Sequence, residues 1–194
     1  MDKEKLSTFF VEKNQILAIY DIFQLFSTQR MIIIATIHLC EEKGGFMDSY
    51  EINKDTYAVM SINDGVSKVL EKDDEYFVNK NSYEVMEDSC SYYGSSCEGR
   101  IKGTKMILGS NYKVPIVVEE TNEIIFFPTE AASNANCIWL SLNNIKRYER
   151  SNGFTKVIFN SGKEIIVKMS ISSFETQILR ANRLGSIIRK RKGE

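Results

Sequence analysis

Histidine is all but missing from this sequence, proline occurs twice, and no long hydrophobic run is present. The one histidine, His38, lies inside an apolar stretch and reads as a buried or incidental side chain. Ser-His-Asp catalysis, Cys-His catalysis and any His-containing zinc site would all have to rest on it. The four cysteines, Cys40, Cys90, Cys97 and Cys137, include no CxxC pair, and the Gly-Ser break between Cys90 and Cys97 is not metal spacing. They read as reduced thiols packed as small hydrophobes. With only Pro115 and Pro128, Pro-rich linkers are excluded. The longest uncharged stretches, Ile22 to Gln29 and Met31 to Cys40, fall short of the roughly 18–20 apolar residues of a spanning helix. Neither a secretory signal pattern nor a glycine-rich phosphate loop occurs. Asp73-Asp74-Glu75 and Glu87-Asp88 sit beside lysines and turns, and read as solvated surface rather than acid/base pairs. The expectation is a cytoplasmic protein that is no enzyme, holds no cofactor or metal, and has no membrane partner.

What is present is an uneven distribution of charge. Over 194 residues the 25 basic and 26 acidic side chains nearly cancel. From Met47 to Glu98, however, there are 4 basic and 12 acidic residues, and from Gly99 to Glu194 there are 16 basic and 8 acidic. Such asymmetry points to an anionic partner for the basic half or to docking between unlike faces of different subunits; a well-mixed folded surface is the plain alternative. The first 46 residues stand apart, with two loosely helical apolar runs and then Lys43-Gly44-Gly45 just before Met47. Lys-Gly-Gly can be encoded AAA GGA GGN, which is a bacterial ribosome-binding sequence. Met47 is therefore expected to be the start and residues 1–46 a translated leader, the alternative being a helical extension. Mass spectrometry of native N-terminal peptides decides between them.

The acidic half reads as β-structure: Tyr50–Asn53 and Thr56–Met60 around the turn Lys54-Asp55, then Lys68–Leu70 and Glu75–Val78. Tyr83, Met86, Cys90 and Tyr93 recur at helical spacing, and Gly94 ends that helix. Ser95-Ser96-Cys97-Glu98 reads as a capping box that opens a second helix closed by Gly109. Its apolar stripe is Cys97, Ile101, Thr104 and Leu108; Lys102 and Lys105 share a face with Glu98, while Gly99 and Gly103 make a smooth one. Pro115–Val118, Ile124–Phe127, Ile138–Leu142 and Thr155–Phe159 read as strands, and Asn160-Ser161-Gly162 turns the chain back through Lys163–Met169. Ser172-Ser173-Phe174-Glu175 reads as another capping box, opening a helix that buries Phe174, Ile178, Ala181 and Ile188. Arg180 and Arg183 face away, and Arg189–Lys192 ends the helix and reads as a solvated basic tail. The expected class is α+β, mainly antiparallel strands and hairpins with about three helices.

The segment Ser89-Cys90-Ser91-Tyr92-Tyr93-Gly94-Ser95-Ser96-Cys97-Glu98-Gly99-Arg100 resembles the SCx-aromatic-aromatic-GxxxxGR pattern of the ComK competence transcription factors of low-GC Gram-positive bacteria. Pro115-Ile116, Phe126–Thr129, Trp139–Ser141, Phe159–Gly162 and Ser173–Gln177 are similar too, in the same order, so that the likeness runs from about Tyr50 to Arg183. Two departures stand out. Val114-Pro115 replaces Pro-Pro, and the sequence ends soon after its last helix, where longer members carry a tail associated with activation and with capture by a Clp-protease adaptor. The resemblance implies a DNA-binding activator of competence genes, recognising AT-rich boxes in double-stranded DNA through the minor groove as a homodimer or dimer of dimers. The Clp-protease adaptor is implied as a partner only through the tail this sequence lacks. The alternative is a tail-less paralogue that acts as dimerisation partner or modulator without activation. Candidate DNA-binding residues are Arg100, Lys102, Lys105, Lys146, Arg147, Arg180 and Arg183, with Arg100 first because it ends the motif and follows a glycine. The domain is expected over residues 47–188, with 189–194 as the tail.

Overall fold

The computed structural model describes residues 46–63 and 65–193; readings that fall before Phe46, His38 and Cys40 among them, lie outside the described residues. The strands are β1 (Phe46–Met47), β2 (Thr56–Asn63), β3 (Val66–Glu71), β4 (Glu75–Val78), β5 (Ile116–Glu119), β6 (Ile124–Pro128), β7 (Ile138–Ser141), β8 (Ile145–Ser151), β9 (Phe154–Phe159) and β10 (Glu164–Val167). Three helices are described: α1 (Ser82–Tyr92), α2 (Cys97–Leu108) and α3 (Ile171–Lys192). A seven-stranded sheet runs β1-β4-β3-β2-β7-β6-β5, and a three-stranded one runs β10-β9-β8. Every strand pair is antiparallel except β1 with β4. The α+β class with its hairpins and three helices stands as expected.

Because successive side chains of a strand point to opposite faces, the large sheet feeds two cores. Val59, Val69, Ile116, Val118, Ile124 and Phe126 enter the first, against Val85, Met86 and Cys90 of α1 and Cys97 of α2. Ala58, Leu70, Val117, Ile125 and Phe127 enter the second, against Phe174, Ala181 and Leu184 of α3 and Val157, Phe159 and Val167 of the small sheet. Strands covered on both sides read as unbroken apolar runs, which is why Ile124–Phe127 carries no alternation. Helix α2 serves both cores: Ile101 packs on the first, Ile107 and Leu108 on the second.

Several local expectations are revised. Tyr50–Asn53 is not a strand, since side chains of the α1 region take the Ile52 backbone: Ser89 Oγ accepts its N–H at 3.1 Å, and Tyr93 OH donates to its carbonyl at 3.0 Å. The cap of α2 is Ser96, not Ser95. Ser96 Oγ accepts from Gly99 N at 3.0 Å, while Ser95 N closes the preceding turn on Cys90 O and Glu87 accepts from Cys97 N. Likewise Ser170, not Ser172, caps α3, accepting from Ser173 N at 3.3 Å. A reciprocal box opens α1, where Asn81 Oδ1 accepts from Glu84 N and Glu84 Oε2 accepts from Asn81 N. Asn81→Ala is therefore expected to cost about 1 kcal/mol, read as a melting-temperature drop of roughly 2–4 °C.

Arg189–Lys192 forms the last turn of α3, exposed along its length, with Gly193 as its left-handed cap. Cations in a last turn are favoured by the helix dipole. Cys90, Cys97 and Cys137 are free and buried. The neighbouring Cys90 thiol and burial push the Cys97 thiol up, and burial pushes Cys137 up to about 11, so both are protonated packing groups.

Candidate nucleic-acid interface

Strand β8 is an edge of the small sheet, so its outer side needs no partner and tolerates charge. A register shift between Ile145 and Arg147 inserts Lys146 as an extra residue, and both Lys146 and Arg147 are exposed. The strand is held from below by Tyr148, whose ring lies 5.0 Å from that of buried Phe174. Lys156 on β9 bonds Glu149 at 3.0 Å and Glu164 at 3.1 Å, which keeps it charged and holds the Glu149 carboxyl below its ordinary range. Arg147 reaches Glu149 only at 3.8 Å, with both side chains largely exposed. An ion pair so exposed is worth little and yields readily to another anion. Lys146 and Arg150 carry no ion pair among the described residues.

The candidates on α2 and α3 separate into anchored and free cations. Arg100 pairs with Glu120 and is 20% exposed, and its Nε is buried without a partner. Around the same β5–β6 turn, Arg189 pairs with Glu123 at 2.6 Å and Lys192 donates to Glu120 O at 2.7 Å. Arg180 is half-buried and donates to Tyr112 O at 3.2 Å. Lys105 is half-buried beside a groove of about 320 Å³ that it shares with Tyr83, Ile101, Tyr112 and Lys113. Lys102 and Arg183 are exposed, with no ion pair among the described residues. Gly103 faces open space rather than a strand, so the backbone of α2 beside Lys102 is accessible to a phosphate. Sequence reasoning missed Arg150 and the hairpin that carries it, although Asn152-Gly153 is the strongest short hairpin signal available.

The turn that receives Arg100 is stiffened by Glu119, whose carboxylate accepts from the backbone amides of Thr121 and Asn122 and from Asn122 Nδ2 at 2.8 Å. Burial opposes its ionisation, but the amide bonds outweigh burial and hold the carboxyl below the ordinary 4.5. A depressed carboxyl pKa stabilises the fold fully above the unfolded value, and that stability is lost as pH falls through the folded value. Glu119→Gln is expected to be flatter than the parent in stability below about pH 4.5. Urea unfolding at pH 5 and pH 3 checks it.

The family model described as "ComK protein" matches residues 47–193. A curated relative from Bacillus subtilis (strain 168), named "Competence transcription factor", is 36% identical over 138 residues, covering 69% of this chain and 72% of that protein. No solved structure matches. With nearly every described residue inside the family match and a relative above one-third identity, the chain belongs to the ComK family.

Proposed function

We propose that this protein is a transcriptional activator of competence genes that binds double-stranded DNA at AT-rich promoter boxes. The family match over residues 47–193 carries the reading, and the free cations support it. On this reading Lys102, Lys146, Arg147 and Arg183 meet phosphates directly, and Lys105 does so from the rim of its groove. Arg100 and Arg180 add to the same positive field while they hold Glu120 and Tyr112 O. A narrow A-tract minor groove concentrates negative potential, which gives arginine and lysine a preference for AT-rich sites without many base contacts. The protein acts in the cytoplasm as a homodimer or dimer of dimers, performs no catalysis, and uses residues 47–188 as its DNA-binding domain. Among the described residues no helix is long and apolar enough to cross a membrane.

The test pairs a gel-shift titration with a promoter-reporter assay. An AT-rich competence promoter duplex is expected to bind at least about tenfold more tightly than a G·C-interrupted one, and the protein to raise reporter output. Binding without activation would make it the modulator instead. No preference between the duplexes would remove the AT-rich specificity.

A further inference from the structure

Phe154 is a large apolar residue at a place where the core makes no use of it. It follows the two-residue turn Asn152–Gly153, whose φ values of 48° and 84° are both left-handed. Such a turn closes a hairpin tightly and matches the twist of its strands. Ser151 pairs with Phe154, so the ring stands on the last rung of the β8–β9 ladder, and it is 43% exposed. Alternation places it on the face opposite buried Thr155 and Val157, and no other ring among the described residues packs on it. Within eight residues of the ring, β8 presents three exposed cations: Arg147 pairs with Ile158 on the ring's own face, Arg150 pairs with Thr155 on the other, and Lys146 stands at the bulge.

We propose that the β8–β9 hairpin enters a groove of duplex DNA and that Phe154 is a wedge, inserted from the minor-groove side between adjacent base pairs. The inference rests on the reading of the basic face as a DNA site and names what its apolar member does there. An apolar side chain pushed between base pairs partly unstacks them and kinks the duplex, and the bent DNA then wraps more protein surface, which offsets the cost. The hairpin has the parts this needs. Asn and Gly make the tip slender, the ladder keeps the ring from folding back, and cations on the neighbouring strand reach the flanking phosphates. Pyrimidine–purine steps are the cheapest to open, so the wedge selects a TA or CA step at its point of entry. A protein-docking role fits less well. Ile166 is exposed on the same face, but Lys156 stands directly opposite it, paired to Glu149 and Glu164, and breaks up the apolar ground.

The experiment uses the full chain and an AT-rich duplex with 2-aminopurine at a TA step, read by fluorescence and affinity. The parent protein is expected to raise the fluorescence about threefold as the base unstacks. Phe154→Ala should abolish that rise and bind about tenfold more weakly, since base–aromatic contacts carry effects of this size. Its salt dependence and melting temperature should stay unchanged. Phe154→Leu, which keeps an apolar wedge, should retain most of the fluorescence signal. Equal fluorescence and affinity for Phe154→Ala and the parent would overturn the wedge while leaving DNA binding intact. Loss of binding with a change in sedimentation of the free protein would overturn it in favour of a protein interface. A folded parent chain that binds no duplex would overturn the DNA reading and the wedge together.

Discussion

Truncation of Phe174 to alanine is expected to cost about 3–5 kcal/mol, the range for deleting a fully buried aromatic ring. The residue is wholly inaccessible and stands between two rings, Tyr148 of β8 at 5.0 Å and Phe127 of β6 at 5.6 Å. It thus joins α3, the small sheet and the large sheet at one point. Its neighbours on α3 have little freedom to fill the space. Gln177 is fixed by donating to Lys113 O and Pro128 O, each at 2.9 Å. A cavity that cannot collapse keeps its full cost. Chemical denaturation should show the loss in midpoint with little change in slope, and residual DNA affinity should fall as well, because Tyr148 loses the ring that seats the basic strand.

The second large effect is on binding. Replacing Lys146 and Arg147 together by alanine is expected to weaken duplex binding about 30-fold at 0.15 M salt. That figure follows from two phosphate contacts, each contributing a slope of about 0.9 in log affinity against log salt. The loss should be the same on AT-rich and G·C-interrupted duplexes, since phosphate contacts position the protein without reading sequence. Both side chains are exposed, so thermal stability should move by less than about 0.5 kcal/mol. Fluorescence anisotropy on the two duplexes, beside a thermal melt, separates the electrostatic effect from unfolding.

Most of the buried architecture was legible in the sequence, and the reasons differ from element to element. Ile124–Phe127 and Val157–Phe159 are apolar runs that no exposed loop would carry, and Gly109 occupies the left-handed position that ends α2. Helix caps were legible only to within two residues. Each serine cluster offers several hydroxyls, and the choice falls to tertiary contacts such as Glu87 accepting the Cys97 amide. Strand β8 was missed because Ile145–Ser151 is so charged that it looks like a loop. An edge strand needs backbone pairing on one side only, and here a single aromatic, Tyr148, anchors it.

The candidate site was legible as residue types but not as roles. The sequence pattern drew attention to Arg100 for its place in a motif, whereas the fold gives that guanidinium to Glu120. No local signal in the sequence links residues twenty apart across a helix and a strand. The motif around Gly94 instead describes a junction: Ser89 and Tyr93 hold the Ile52 backbone, and Cys90 and Cys97 fill the core between α1 and α2. Gln177 likewise lies in a family-like segment whose purpose is a pair of buried carbonyls. The free cations lie outside those segments, on positions that packing does not constrain.

The claim that the basic half forms an electrostatic DNA face is tested most directly by the affinity of the full chain for an AT-rich duplex, measured across 0.05–0.3 M salt. With Lys102, Lys105, Lys146, Arg147 and Arg183 each displacing one counterion, log affinity should fall against log salt with a slope of about −4.5. Binding whose affinity does not change with salt, or a folded protein with no affinity for the duplex at the lowest salt, would contradict it.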